Sequence, residues 1–537
     1  MSMGIHRGPA SVPRQYTPVL HRNGAARSTG VLAIGLLIVG LSLAAVLAGM
    51  LIGSGNLLLL APIAGVAGLA MVLMLPVTWT IWALFFGSMF VVGPVVYFAK
   101  LDAARWITPA LGMALVVPLL VRVVGRPTRE QVRTETPAMM WWLGLFLISL
   151  VFSTVIDSPR LGEIINAPRY YLIGVPLLLL LAGGAFSPDN FERAWRYLVW
   201  LGLLQLPVAL VQYFIFAKRN IRSAAWDAVV GTFPGNSEGG GASAGMGVFL
   251  ITAFVVALSL WRRGHLKARY MVAMCVGAIL TVALAEVKAV VLLIPVAAGL
   301  LFFKELRRKP WQALLALGLS VVLMFGLLTF YAQVQYADRA AAWSVGTAPR
   351  SPLESIKNQF DPDTVGKWTP TMGRMAALVD WWDQNVKAGD VQHALFGYGA
   401  AATQANKIGV GELTSRFRYQ LDYTSSVMLL WETGIMGHAF LLIGMLVAAA
   451  TASRLSKAPG VPDVHQAILH ATAVALVIHA ITLPYRSFVL VTAPNQILLV
   501  LMLGYAAFWS REVSGLQIKR WQAGRHARAG SGRPAAP

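Results

Sequence analysis

Apolar runs as long as a bilayer is thick recur along the whole chain, and no other feature restricts the possible folds as much. Residues 31–53 (VLAIGLLIVGLSLAAVLAGMLIG) and 488–508 (FVLVTAPNQILLVLMLGYAAF) each reach the roughly 20 residues that carry a helix across about 30 Å of hydrocarbon. Comparable runs place spans at 56–75, 77–98, 106–124, 138–156, 170–186, 194–216, 243–260, 270–285, 289–303, 312–332, 424–450 and 464–483. Backbone in lipid must satisfy its own hydrogen bonds, so the expectation is an all-α polytopic membrane protein of about 14 transmembrane helices. Composition agrees: 57% of the 537 residues are hydrophobic and 12% charged, more apolar surface than one globular core can hide.

The formal charge of +21 would suit a nucleic-acid binder, but its distribution excludes nucleic acid as the partner. Lys and Arg cluster at the ends of apolar runs, in 122–137, 261–269 (WRRGHLKAR), 304–310 (KELRRKP) and the tails, which is the positive-inside pattern. It predicts a multi-pass inner-membrane protein with both termini cytoplasmic. The segment 217–223, with Lys218, Arg219 and Arg222, is an exception on the far side. The first run follows Arg7, Arg14, Arg22 and Arg27 and is too long for a signal-peptide core, so it reads as a retained helix. The organisation expected is a basic cytoplasmic tail (1–30), an N-terminal membrane region of about 11 spans (31–332), a large periplasmic loop (333–421), about three further spans (422–510) and a second basic tail (511–537). The loop holds nine Lys/Arg and eight Asp/Glu with several aromatics, as a folded, partly helical cap would. The sole cysteine, Cys275, allows no internal disulfide, and the tail GRHARAGSGRPAAP reads as disordered.

The stretch 270–303 would make a single helix of about 51 Å, too long for one span. Basic clusters on both flanks require an even number of crossings, which puts Glu286 and Lys288 at the tip of an external hairpin; a re-entrant hairpin satisfies the same topology.

Ionisable groups near a membrane face are costly unless they pair or bind something, which makes Arg169, Lys288 and Arg486 candidates for a ligand. Each could instead snorkel to the interface or pair with a carboxylate. Three cations at different helix ends on one face would seat a diphosphate, for which Arg offers a fork and Lys a point charge. Ahead of a span, GTFPGNSEGGGASAG (231–245) combines Asn236 and Glu238 with three consecutive glycines, either an anion cradle or an ordinary turn. In the large loop, Arg374 precedes Trp381 and Trp382 at helical spacing, and FGYG follows at 396–399. Aromatics beside polar groups suit a sugar face, and core packing explains them equally. No phosphate-binding loop, paired-histidine zinc motif or Cys/His cluster is present in the sequence. His470 and His479 are nine residues apart, two and a half turns, and so nearly opposite on their helix; neither is assigned a role.

Taken in order, these segments resemble the O-antigen polymerase and ligase superfamily of bacterial membrane glycosyltransferases. The family's turn ending in asparagine resembles 232–236 with Gly231 ahead. Its Ser-Arg helix signature falls at Glu286-Val287-Lys288. Its loop Arg, Trp and Gly-x-Gly resemble Arg374, Trp381 and 397–399, and its Glu-x-Gly-x-x-Gly resembles Glu432, Gly434 and Gly437. The likeness covers roughly residues 140–510 and rests on order and topology together. Two departures matter. Lys288 stands where Arg is usual, and Asp422-Tyr423 stands where family ligases carry His-Asn, which favours a polymerase over a ligase.

The resemblance implies transfer on the periplasmic face from an undecaprenyl-diphosphate-linked glycan donor to an acceptor sugar hydroxyl, with no cofactor. A chain-length-regulating or export partner is a possible addition. Substrate binding would fall to Arg169, Asn236, Lys288, Arg374 and Arg486, and Glu238 or Asp422 would serve as base. The alternatives are ligase-type transfer to another acceptor, or a lipid-linked-sugar flippase without chemistry.

Overall fold

The computed structural model describes residues 74–124, 136–157, 159–217, 225–303, 308–335, 372–406, 409–417 and 420–530, with isolated positions between 354 and 362. The chain divides into a first unit, Met1–Leu75, which lies almost wholly outside those residues, and a second, Pro76–Pro537, which holds every helix named below. The expected tail 1–30 and spans 31–53 and 56–75 therefore fall outside the described residues, as do 336–353 and 363–371 of the large loop.

Among the described residues, eleven helices are long and apolar enough to cross a membrane. In chain order they and one shorter apolar helix are α1 Val77–Phe98, α2 Asp102–Val124, α3 Ala138–Ile156, α4 Gly162–Ala182, α5 Pro188–Phe216, α6 Ser243–Arg262, α7 Ala268–Ala285, the shorter α8 Lys288–Leu301, α9 Pro310–Gln333, α12 Ser425–Leu455, α13 Asp463–Thr482 and α14 Ala493–Gly515. Two loop helices, α10 Arg374–Trp382 and α11 Val391–Phe396, lie between α9 and α12. The all-α membrane class thus holds, and each span has its run in the sequence. Their starts are written locally. Proline stands at or just before the first turn of α1, α3, α5, α9 and α13, where its missing N–H costs nothing. Thr424 caps α12 by accepting the Val427 N–H at 3.1 Å.

Side-chain contacts sort the connections between two ends of the bundle. At one end Arg263 and His265, after α6, both reach Asp463 at the start of α13, at 2.6 and 2.9 Å. Arg511 of α14 donates to the Ala182 carbonyl at the end of α4 (3.2 Å), so the basic connections lie together. The other end, here the loop end, gathers the start of α4, the segment before α6, the large loop and the segment before α14. There Arg160 donates to Ser415 (3.0 Å), the Glu412 N–H to Glu163 (2.6 Å) and Arg374 to the Tyr485 carbonyl (2.5 Å).

The stretch 270–303 forms two helices, both packed on α6. Glu286 between them adopts a left-handed conformation (φ +49°), which turns the chain. Val287 and Val290, opening α8, lie against Gly247 near the start of α6, and Phe302 after α8 lies under Arg262 at the end of α6. Thus α8 runs back alongside α6 as the second arm of a helical hairpin, although at 14 residues it is shorter than the eleven span-length helices.

The described part of the large loop is folded. Ala377, Trp381, Tyr398, Ala402 and Leu413 pack with Leu421, Val427, Leu430 and Trp431 in a core of their own, and Ala405–Asn406 pairs with Gly409–Val410. Trp381 is a core residue, whereas Trp382 is exposed. The turn 396–399 docks on α12 where that helix breaks at Gly434 (φ +65°). The N–H groups of Tyr398 and Gly399 take the carbonyls of Trp431 and Glu432 (2.8 and 3.1 Å), which the break leaves without helical partners. A Cβ on Gly434 would fall on the Leu395 backbone. At the C-terminus, the helix that begins at Ala493 continues to Gly530, a correction to the disorder expected for the first half of that tail, while 531–537 lie outside the described residues. Gln, Lys, Arg and Ala are good helix formers, and a membrane span ahead of them supplies the nucleus a free tail would lack.

Candidate anion-binding site

A cavity of about 420 Å³ opens among α1, α2, α4, α6 and the segment 486–496 at the loop end. Three guanidinium groups line it: Arg105 from the first turn of α2, Arg169 from α4 and Arg486 ahead of α14. None of the lining residues is acidic. Among the described residues no carboxylate lies in ion-pair contact with Arg169 or Arg486, and Arg105 meets only Asp102, at 3.4 Å on an exposed surface. Arg169 is oriented by aromatic faces, 5.4 Å from the Trp106 ring and 5.6 Å from that of Tyr170.

Backbone dipoles add to the positive field. Ala244 and Gly245 in the first turn of α6, and Ala493 in the first turn of α14, border the cavity, so two helix N-termini meet there. Between the guanidiniums runs the glycine loop, 234–242, closed by an antiparallel bridge from Gly235 to Gly241. Gly239, Gly240 and Gly241 all have positive φ, which glycine alone adopts readily in succession. Asn236 accepts the Glu238 N–H on its side-chain oxygen (3.1 Å).

Two buried glutamines fix this loop to the bundle. Gln212 of α5 accepts the Val230 and Gly231 N–H groups (2.9 and 2.7 Å) and donates to the Gly231 carbonyl (2.8 Å). Gln205, two turns earlier, accepts the Thr232 N–H and donates to the Thr232 hydroxyl, each at 2.8 Å, and that hydroxyl donates to the Met89 carbonyl of α1. Asn495 and Gln496 of α14 tie the remaining walls. Asn495 donates to the Gly245 carbonyl (3.2 Å), and Gln496 to the carbonyls of Tyr170 (3.0 Å) and Leu490.

Next to the cavity a second cationic group is built on tyrosine faces. Arg374 of α10 lies 4.2 Å from the Tyr485 ring and 5.9 Å from that of Tyr423, and Arg486 stands 5.5 Å from Tyr423. The segments carrying them are stitched together, since the Ser487 N–H donates to the Tyr423 carbonyl (3.2 Å) and the Ser425 hydroxyl to that of Arg486 (3.1 Å). Asp422 precedes Tyr423. Burial pushes its carboxyl above the usual range, against a Gln420 hydrogen bond, its own backbone and the charge of Arg486, which all act downward.

Arg169, Asn236 and Arg486, singled out in the sequence, thus line one cavity. Arg374 and Asp422 flank it through Tyr423 and Arg486, and Glu238 is exposed on the glycine loop without lining it. Lys288 is not among the lining residues, and its ammonium pairs with the buried carboxylate of Glu286 at 3.1 Å. Sequence reasoning missed Arg105, Gln205, Gln212, Asn495 and Gln496. The signal was there: each is a polar residue inside or beside an apolar run, where such residues are rare without a task. No protein-family model matches this chain, and no curated protein matches it either.

Proposed function

We propose that the chain is a glycosyltransferase that polymerises a lipid-linked oligosaccharide repeat of a bacterial surface polysaccharide, working at the loop end of the bundle on the periplasmic face of the inner membrane. The observation that carries this reading is the convergence of Arg105, Arg169 and Arg486 on one cavity without a lining carboxylate, beside a glycine loop and two helix N-termini. An arrangement of fixed donors suits an undecaprenyl diphosphate, whose negative charge grows as it leaves. The acceptor hydroxyl oxygen attacks the anomeric carbon of the donor, the bond from that carbon to the diphosphate oxygen breaks, and the carrier diphosphate departs with the electron pair into the guanidinium cluster. Asp422 takes the hydroxyl proton. It is preferred over Glu238 because it lies within the field of Arg486 with a carboxyl raised by burial, a better proton acceptor than an ordinary carboxylate.

The test is extension by the purified full-length protein in detergent, supplied with an undecaprenyl-diphosphate-linked oligosaccharide. Products one and more repeats longer support the reading. A chain that moves substrate between leaflets without lengthening it is a flippase, and a chain that lengthens nothing but transfers to a different acceptor is a ligase.

A further inference from the structure

Glu432 is wholly buried and still holds four donors from two parts of the molecule. Three belong to the docked turn of the large loop: the Ala401 N–H (2.8 Å), the Thr403 N–H (3.3 Å) and the Thr403 hydroxyl. The fourth is the Tyr171 hydroxyl of α4, at 2.6 Å. Tyr171 lies on a π-helical turn, Pro168–Leu172, that also carries Arg169, and Gln496 holds the carbonyls of that same turn. Such turns are wider than an α-helical turn and recur at functional sites, because a small displacement re-aims their side chains. We propose that Glu432 and Tyr171 are positioning residues, through which docking of the 396–403 turn sets the place of Arg169 in the cavity.

A buried charge is costly to strip of its donors. If the turn lifts from α12, Glu432 loses three of its four donors and retains only Tyr171, so the carboxylate must move toward new partners and take the phenol with it. The interlock is tight elsewhere. A Cβ on Gly397 would come 2.5 Å from the Glu432 carbonyl carbon, and Ser153 of α3 donates to the Glu432 carbonyl (2.7 Å) while accepting the Gly399 N–H (2.8 Å). Loop and π turn are thereby joined through one side chain, and a substrate that seats the loop also seats Arg169. This rests on the reading of Arg169 as a diphosphate ligand only for its purpose, not for the coupling itself.

The experiment uses the full-length chain in a Cys275→Ser background, with single thiol probes at Arg169→Cys or Asn236→Cys and a water-soluble maleimide. Each probe is combined with Tyr171→Phe, which keeps the ring and removes the hydroxyl, and separately with Thr403→Val. Coupling predicts that the labelling rate at position 169 changes by about tenfold in both combinations while that at 236 stays within about twofold of its parent. An unchanged rate at 169 overturns the proposal. A parallel change at both probes also overturns it, as general loosening, and if one variant fails to insert the other carries the comparison. Inorganic pyrophosphate added to the Asn236→Cys parent reports separately: protection supports the anion site, and its absence counts against the proposed function while leaving the coupling result standing.

Discussion

Arg374 and Arg486 stand over the same ring, that of Tyr423, with their guanidinium carbons 5.9 and 5.5 Å from its centroid. They come from different elements, and burial together with the Arg486 charge lowers the pKa of Arg374, partly offset by Tyr485 and Tyr423. Their removals should differ in kind. Arg374 donates to the Tyr485 carbonyl and is largely enclosed, so Arg374→Gln is expected to cost about 1–3 kcal/mol of stability and lower the thermal midpoint in detergent. Arg486 is exposed toward the cavity, and Arg486→Gln should leave the midpoint unchanged while cutting product formation at least about tenfold. Equal losses of stability in the two variants would remove the distinction.

A pH dependence follows from Asp422. As the proposed base Asp422 must work deprotonated, and burial lifts its carboxyl above the usual aspartate range. Polymer formation should therefore fall as the pH drops through a value above the ordinary carboxylate range. Arg486 favours the charged form, so in the residual activity of Arg486→Gln the acid limb should move to still higher pH. Initial rates of extension against pH check both; a limb that stays in place in Arg486→Gln would argue for another base.

The helices were legible because crossing about 30 Å of lipid leaves a mark on some 20 consecutive residues at a time, and no tertiary contact overrides it. Arg169, Asn236 and Arg486 were legible for a related reason: polar groups at helix ends stand out against apolar runs. Arg105 did not stand out, since Asp102 three residues earlier looks like its partner. The pairing of Lys288 with Glu286, two residues back, was not legible, because it runs across a left-handed turn that no local signal announces. The hydrogen bond from Tyr171 to Glu432 joins positions 261 residues apart and had no sequence signal at all.

Lys288 accordingly has a structural test. The side chain of its partner Glu286 is 2% exposed, and Lys288→Ala removes the ammonium that faces this carboxylate. Stability should fall by about 3–5 kcal/mol, as when one member of a buried pair is deleted. Combining Lys288→Ala with Glu286→Gln should restore much of it. If the double variant retains stability but loses product, Lys288 serves the substrate as well; additive losses would mean that the two residues do not act as a pair.

Gly434 breaks α12 in a conformation that disfavours any side chain, and its missing Cβ makes room for the Leu395 backbone. Gly434→Ala should displace the 396–403 turn and loosen the flanking backbone at Lys387 and Arg416, whose side chains are already exposed, so that trypsin cuts there faster in protein that is still inserted. Strain at the positive φ alone amounts to about 1–3 kcal/mol, so the effect should also appear as a lower thermal midpoint. Unchanged proteolysis of the loop would contradict the interlock.

The central claim is that the cavity holds a diphosphate, and binding of labelled inorganic pyrophosphate to the purified full-length protein measures it most directly. Wild-type protein should bind it saturably, with affinity falling as salt rises, because exposed charges are screened. Arg105→Gln, Arg169→Gln and Arg486→Gln should each weaken binding about ten- to hundredfold, the equivalent of one charge-assisted contact of roughly 1.5–3 kcal/mol, whereas Lys288→Gln should not. Binding that is absent in the wild type, or that survives all three arginine substitutions, would contradict the account.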